Sequence, residues 1–110
     1  MANQIIYSAV FIRKAKAYKK KHHSIVEDLR ELEKSLLKNP EQGNNLGSGL
    51  FKVRLAVKSK GKGKSGGFRV VTFLLSPTEK DFIINILTIY DKSEESSIDK
   101  KVLQQIIKSL

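Results

Sequence analysis

The sequence predicts an α+β fold, a helical hairpin packed on a small antiparallel sheet. Three observations carry that prediction. Two helical stretches, Phe11–Lys21 and Ser24–Asn39, follow one another with only a histidine pair between them. Three strand-like runs then succeed each other between Leu50 and Tyr90, with turns too short for a crossover helix. A last amphipathic stripe, Val102–Leu110, closes the chain. The order is strand, helix, helix, strand, strand, strand, helix, in one domain spanning residues 1–110.

Each element has a local reason. Gln4–Ser8 is short and apolar-leaning, as an edge strand would be. Phe11, Ala15 and Tyr18 stand at helical spacing in an Ala- and Lys-rich segment. Ser24 and Glu27 have the spacing of a capping box, and Ile25, Leu29, Leu32 and Leu36 form one apolar stripe behind it. Asn39-Pro40 ends that helix, because proline disfavours helical geometry in the residue before it. Glu41–Gly49, with three glycines and two asparagines, reads as a loop. From Leu50 to Lys58, Phe51, Val53, Leu55 and Val57 alternate with Lys52, Arg54 and Lys58, as in a half-buried strand. Ser59–Gly67 is a turn, Phe68–Leu75 a strand, and Phe82–Tyr90 an apolar run suited to a central strand covered on both faces. Ser96 and Asp99 offer a second capping box ahead of the terminal helix. With the helices on one face of the sheet, Lys52, Arg54 and Lys58 would project from the open face.

Composition narrows the function. The chain has 110 residues, no cysteine and a formal net charge of +10. Disulfides and thiolate metal sites are excluded, and a reducing compartment suits it. The N-terminal MANQIIYSAVFIRK lacks the charged region that precedes the apolar core of a signal peptide, and no apolar run nears the ~20 residues of a membrane span. A cytoplasmic protein without membrane contacts is expected. Charge is also segregated. Six cations, Arg13, Lys14, Lys16, Lys19, Lys20 and Lys21, precede the first acid, Glu27, and the stretch from Lys52 to Arg69 holds seven cations and no acid. A merely solubilising surface mixes its signs, so a polyanion or an acidic protein is the expected partner.

Several chemistries fail on the residues present. Gly63-Lys64-Ser65 lacks the upstream glycine and following helix of a phosphate-binding P-loop. His22 and His23 are adjacent and diverge on a helix, so they form a solvated helix-end pair rather than a metal site, and no histidine lies near the sheet for a serine triad. No cofactor is implied. What remains is Lys52, Arg54, Lys58, Lys60, Lys62, Lys64 and Arg69, with Tyr90 and Lys92 at the end of the apolar strand. Lysines interleaved with glycine are mobile point charges, whereas an arginine on a strand holds its fork ready for phosphate. Such a set can cleave RNA without metal. The RNA 2′-hydroxyl attacks the adjacent phosphate, one side chain takes a proton, another gives one, and cations stabilise the charge on phosphorus.

The segments GLFKVRLAVKSKGKGKSGGFRVVTF and LTIYDKSE, with KNPEQGNNLGSG upstream, closely resemble the RelE/HigB-type toxins of bacterial toxin–antitoxin systems. The resemblance runs from about Ile5 onward. It implies a RelE-like fold and a ribosome-dependent mRNA endonuclease that inhibits translation by metal-independent 2′-hydroxyl attack. It also implies a cognate antitoxin as partner, alongside mRNA and ribosomal RNA, with operator DNA met only through the antitoxin. Carried over residue by residue, it implies catalytic roles for Arg54, Arg69, Tyr90 and Lys92, and RNA binding by Lys52, Lys58, Lys60, Lys62 and Lys64. Tyr90 or a loop lysine would take the proton and Lys92 would return one. Two positions depart from the well-studied members. Ser93 stands where they have an arginine, and Glu95–Ile98 lacks their tyrosine. The alternative on the same fold is a ParE-type toxin that binds DNA gyrase and is no nuclease, and it would not need seven cations between Lys52 and Arg69.

Overall fold

The computed structural model describes residues 3–60, 67–78, 80–94 and 98–110, with the side chain of Lys60 left aside. A first strand, β1 (Gln4–Tyr7), leads into helices α1 (Ala9–Lys21) and α2 (Ile25–Lys38). Strands β2 (Asn44–Gly47), β3 (Leu50–Leu55), β4 (Phe68–Leu75) and β5 (Ile83–Asp91) follow, then helix α3 (Lys100–Lys108). The strands form one sheet in the order β1-β5-β4-β3-β2. It is mixed: β2 to β5 pair antiparallel, while β1 lies parallel to β5 with Ile5 opposite Ile84.

The segment Asn44–Gly47, expected as loop, is an edge strand on β3. Its asparagines and glycines carry no alternation to betray it, and its pairing is made by backbone alone. Gly43, at φ +100°, makes that approach possible, since a Cβ there would stand 2.6 Å from the Lys52 carbonyl oxygen.

The expectation that all helices share one face is corrected. α1 and α2 cover one side, where Phe11, Ile25, Leu32 and Leu36 pack on Val53, Leu55, Phe68, Val70, Ile84 and Ile89. α3 covers part of the other, seating Leu103 and Ile106 on Val71, Leu87 and Tyr90. β5, like β4, serves both cores, and its pairing with β4 slips by one residue. Val71 faces Thr88 while Thr72 faces Ile86. Beyond this bulge the alternation inverts, so Ile84 and Ile86 face α1 and α2 while Tyr90 faces α3.

Helix starts also differ from the sequence expectation. α1 opens at Ala9 under Ser8, whose Oγ accepts the Phe11 N–H at 3.0 Å and donates to the Leu87 carbonyl at 2.6 Å. Ser24 is helical in backbone and makes no side-chain cap, and Glu27 pairs with Arg30 at 2.7 Å instead of reaching back. Asp99 caps α3 through the Lys101 N–H, and Ser96, expected as the cap, lies outside the described residues. His22 is half-buried, its ring edge-on to Phe68 at 5.2 Å, so the histidine pair is only partly solvated.

Two outcomes follow from these contacts. Ser8→Ala removes a cap and leaves a buried carbonyl without its donor, so the free energy of unfolding should fall by about 1–2 kcal/mol in chemical denaturation. Burial, then the hydrogen bond to Glu33 and its charge, push the Tyr7 phenol well above its ordinary 10.0. The folded chain therefore keeps a proton that the unfolded chain releases, and this contribution, full below pH 10, declines as pH rises further. Stability measured from about pH 9 to about pH 12 should fall less steeply in Tyr7→Phe than in the parent.

Candidate functional site

The register of the sheet builds the site. Arg54 of β3 stands opposite Arg69 of β4, and Arg69 stands opposite Tyr90 of β5. Cross-strand partners share a face, so all three lie in one row on the side that carries α3. Lys52 belongs to the next row, opposite Val71. Burial deepens along the row: Arg54 is exposed, Arg69 is 5% accessible, and Tyr90 is wholly enclosed.

A cleft of about 720 Å³ opens over this row, lined by Lys52, Arg54, Arg69 and Lys92 with Gln42, Gly43, Asn44 and Val53. Among the described residues four cations and no carboxylate line it. Arg54 and Arg69 are thus cross-strand neighbours that both line the cleft. Arg69 is also held in place, because its Nη1 donates to the Phe68 carbonyl at 3.2 Å.

Lys92 reaches the cleft because the turn after β5 is pinned. Asp91 Oδ1 accepts the Ser93 N–H at 2.9 Å and the Ser93 hydroxyl at 2.8 Å. The Lys92 N–H meets the Gly67 carbonyl at 3.2 Å, and the Asp91 N–H meets the Tyr18 hydroxyl oxygen at 3.2 Å. Ser93 is thus a turn-former. Serine suits this because its hydroxyl reaches back to the carboxylate two residues earlier.

The structure brings Arg54, Arg69, Lys92 and Lys52 together and leaves Tyr90 and Lys58 off the cleft lining. Tyr90, expected as a catalytic group, is fully buried. Its ring packs in the core under Leu103 and Ile106, its hydroxyl is buried, and it does not line the cleft. Lys58 lies past the end of β3 in a 3₁₀ turn, Lys58–Lys60, beside Asp28 and Glu31 rather than over the cleft. The side chain of Lys60, together with Lys62 and Lys64, lies outside the described residues. Sequence reasoning missed the amides of Gln42 and Asn44, which border the cleft once Gly43 lets β2 close on β3. Gly43 within an Asn-rich segment was the one available signal.

It also missed a clamp at the foot of the basic loop. Buried Asp28 accepts the Ser24 hydroxyl at 2.7 Å and the Lys58 N–H at 3.2 Å through the same Oδ2. Ser24 Oγ accepts the Ser59 N–H at 2.8 Å, and Ser59 Oγ accepts the Ser24 N–H at 3.3 Å. The chain leaving β3 is thereby tied to the junction of α1 and α2. No helix among the described residues is long and apolar enough to cross a membrane.

An α+β domain with a cationic cleft across a sheet register is the class defined so far. The family described as the RelE toxin of the RelE/RelB toxin–antitoxin system matches residues 3–109. Among solved structures, a mutant of the E. coli toxin RelE in the free state superposes with a TM-score of 0.62 at 16% sequence identity, over 100% of this chain and 99% of that one. At that identity the likeness is one of fold. The chain belongs to the RelE toxin family: it is the toxin of a toxin–antitoxin pair, with an antitoxin as its partner.

The clamp yields a measurable cost. Asp28→Ala leaves the Lys58 N–H and the Ser24 hydroxyl without their acceptor and should lower unfolding free energy by about 1–3 kcal/mol. Asp28→Asn, which keeps one acceptor oxygen, should recover a good part of it in the same denaturation series.

Proposed function

We propose that this toxin is a ribosome-dependent endoribonuclease that cuts mRNA and so arrests translation in the cytoplasm. The observation that carries the reading is the Arg54–Arg69 pair in a cleft that, among the described residues, is lined by four cations and no carboxylate. Such a cleft fits a phosphodiester, whose non-bridging oxygens gain negative charge as the 2′-oxygen attacks. The 2′-oxygen–phosphorus bond forms, the bond to the 5′-oxygen breaks, and the products are a 2′,3′-cyclic phosphate and a 5′-hydroxyl. In this reading Arg54 and Arg69 hold the phosphate oxygens and Lys92, at the rim, protonates the departing 5′-oxygen. Lys52 binds a flanking phosphate, and Lys58, Lys60, Lys62 and Lys64 recruit RNA to the site.

The proton acceptor is assigned to a lysine. Tyr90 would need α3 to move before its hydroxyl met a nucleotide, and its buried ring serves instead as the floor of the row. No metal or organic cofactor takes part in the proposed step.

The test is mRNA cleavage on programmed ribosomes. Arg69→Ala should lose roughly a hundredfold or more in rate, as expected when a donor to a developing oxyanion is removed, while antitoxin binding persists. Tyr90→Phe should keep cleavage at close to the parent rate. An unchanged rate in Arg69→Ala removes that residue from the site, and loss of cleavage in a folded Tyr90→Phe returns the phenol to it. Induction that provokes a DNA-damage response with mRNA intact overturns the reading in favour of a gyrase-binding toxin.

A further inference from the structure

The cationic cleft is bordered by Gln42, and a second cavity lies against that same residue. β2 stops pairing with β3 at Asn44 and Lys52. Past that point α2 and the outer edge of β3 enclose about 230 Å³. Leu32, Val53, Leu55 and Ala56 form the apolar walls. The polar groups are Asp28, Glu31 and Ser35 of α2, with Gln42, Arg54 and Lys58 around them. Arg54 and Gln42 line this pocket and the cleft alike.

Hydrogen-bonding capacity is left over here. Asp28 is 4% accessible, and both of its hydrogen bonds fall on Oδ2, so Oδ1 keeps its lone pairs. Glu31 is held loosely, by Lys34 at 3.9 Å. Gln42 Oε1 accepts the Ser35 hydroxyl at 2.9 Å, which fixes the amide, while its Nε2 is buried and meets no acceptor among the described residues. Arg54 and Lys58 are exposed cations at the rim. The α2 side thus offers acceptors and the β3 side donors.

This chemistry selects the occupant. Two carboxylates repel a phosphate, which is better placed on the cleft side of Arg54. A nucleobase fits the mixture. The cavity is smaller than the roughly 300–1,000 Å³ of clefts that hold drug-sized molecules, so it suits a single ring system. Among the four RNA bases only guanine sets two donors side by side, N1–H and the N2 amino group, to match a carboxylate. Its acceptors O6 and N7 match a lysine or an arginine. Adenine and cytosine place an acceptor next to their one amino group, and uracil has one N–H between two carbonyls. Each of these would turn a lone pair toward a carboxylate.

We propose that the pocket between α2 and the open edge of β3 binds the guanine base of a nucleotide whose phosphate lies on Arg54. Asp28 and Glu31 accept N1–H and the amino group, and Lys58 meets O6 and N7. The nucleotide is free or belongs to an RNA strand, and the base chemistry is the same in both. The proposal rests on the reading of the cleft as a phosphate site and does not require cleavage.

The test titrates the full chain, in two-dimensional NMR, with the 5′-monophosphates of guanosine, adenosine, cytidine and uridine and with inorganic phosphate. The guanosine nucleotide should bind roughly fivefold or more tightly than the other three and shift the amide resonances of Glu31, Ser35, Gln42 and Ala56. Glu31→Gln, on the exposed surface of α2, should cut that advantage by roughly threefold. Ala56→Leu, which fills the pocket from its wall, should abolish it. Both variants should bind inorganic phosphate as the parent does, which also shows that they are folded. A 2′-O-methyl oligouridylate with one guanosine, set against the all-uridine strand, separates the two sources. Preference within the strand assigns the pocket to RNA, preference confined to the monophosphates assigns it to free nucleotide, and both support a guanine site. Equal affinity for the four monophosphates overturns the proposal, and so does a guanine preference that survives in both variants. Inorganic phosphate that leaves Arg54 and Arg69 unmoved overturns the cleft reading and the proposal together. A guanine preference in a chain that leaves mRNA intact on ribosomes sinks the nuclease reading alone.

Discussion

The pairing of Arg54 with Arg69 across β3 and β4 is the constraint on which the rest of the molecule turns. Two arginines placed opposite each other do not by themselves select a register. The register holds because the same strands bury Val53, Leu55, Phe68 and Val70 on their other face, under α1 and α2. A slip of one residue would carry those apolar side chains into water and the arginines into the core. Hydrophobic burial on one side of the sheet therefore fixes where the two arginines stand on the other.

Much of this was legible beforehand, and the legible part has a common cause. The alternation from Phe51 to Val57 and the apolar stripe of α2 are periodic signals, produced by faces that meet a core, and periodicity survives in a single sequence. The arginines of the cleft could be read because they occupy the polar phase of that alternation. The parts that were hidden involve backbone or break the period. β2 is made by main-chain pairing of Asn and Gly, and β1 is four residues long, too short to declare that it runs parallel to its neighbour. The one-residue bulge opposite Val71 and Thr72 inverts the phase of β5, so a reading by strict alternation cannot tell which core receives Tyr90.

Tyr90 and Ser24 show how a plausible side-chain role yields to tertiary packing. A tyrosine at a strand end beside lysines has the chemistry of a base, yet α3 closes over it and makes it core. Ser24 has the spacing of a cap, yet Asp28, one turn on, takes its hydroxyl and joins it to Ser59, 35 residues away. In both cases the deciding partner is remote in sequence. Ser93 shows the converse, because its partner, Asp91, is local and its turn-forming role follows from the dipeptide itself.

The hydrogen bond from Ser8 to the Leu87 carbonyl joins positions 79 residues apart, and β1 lies against β5 over a similar span. During synthesis the first strand and the start of the first helix must therefore wait for nearly the last strand before their contacts exist. Lys92, at the rim of the cleft, follows that strand directly. A chain interrupted before β5 has neither a closed sheet nor a complete site. The cationic cleft is thus assembled only when nearly the whole chain has been made.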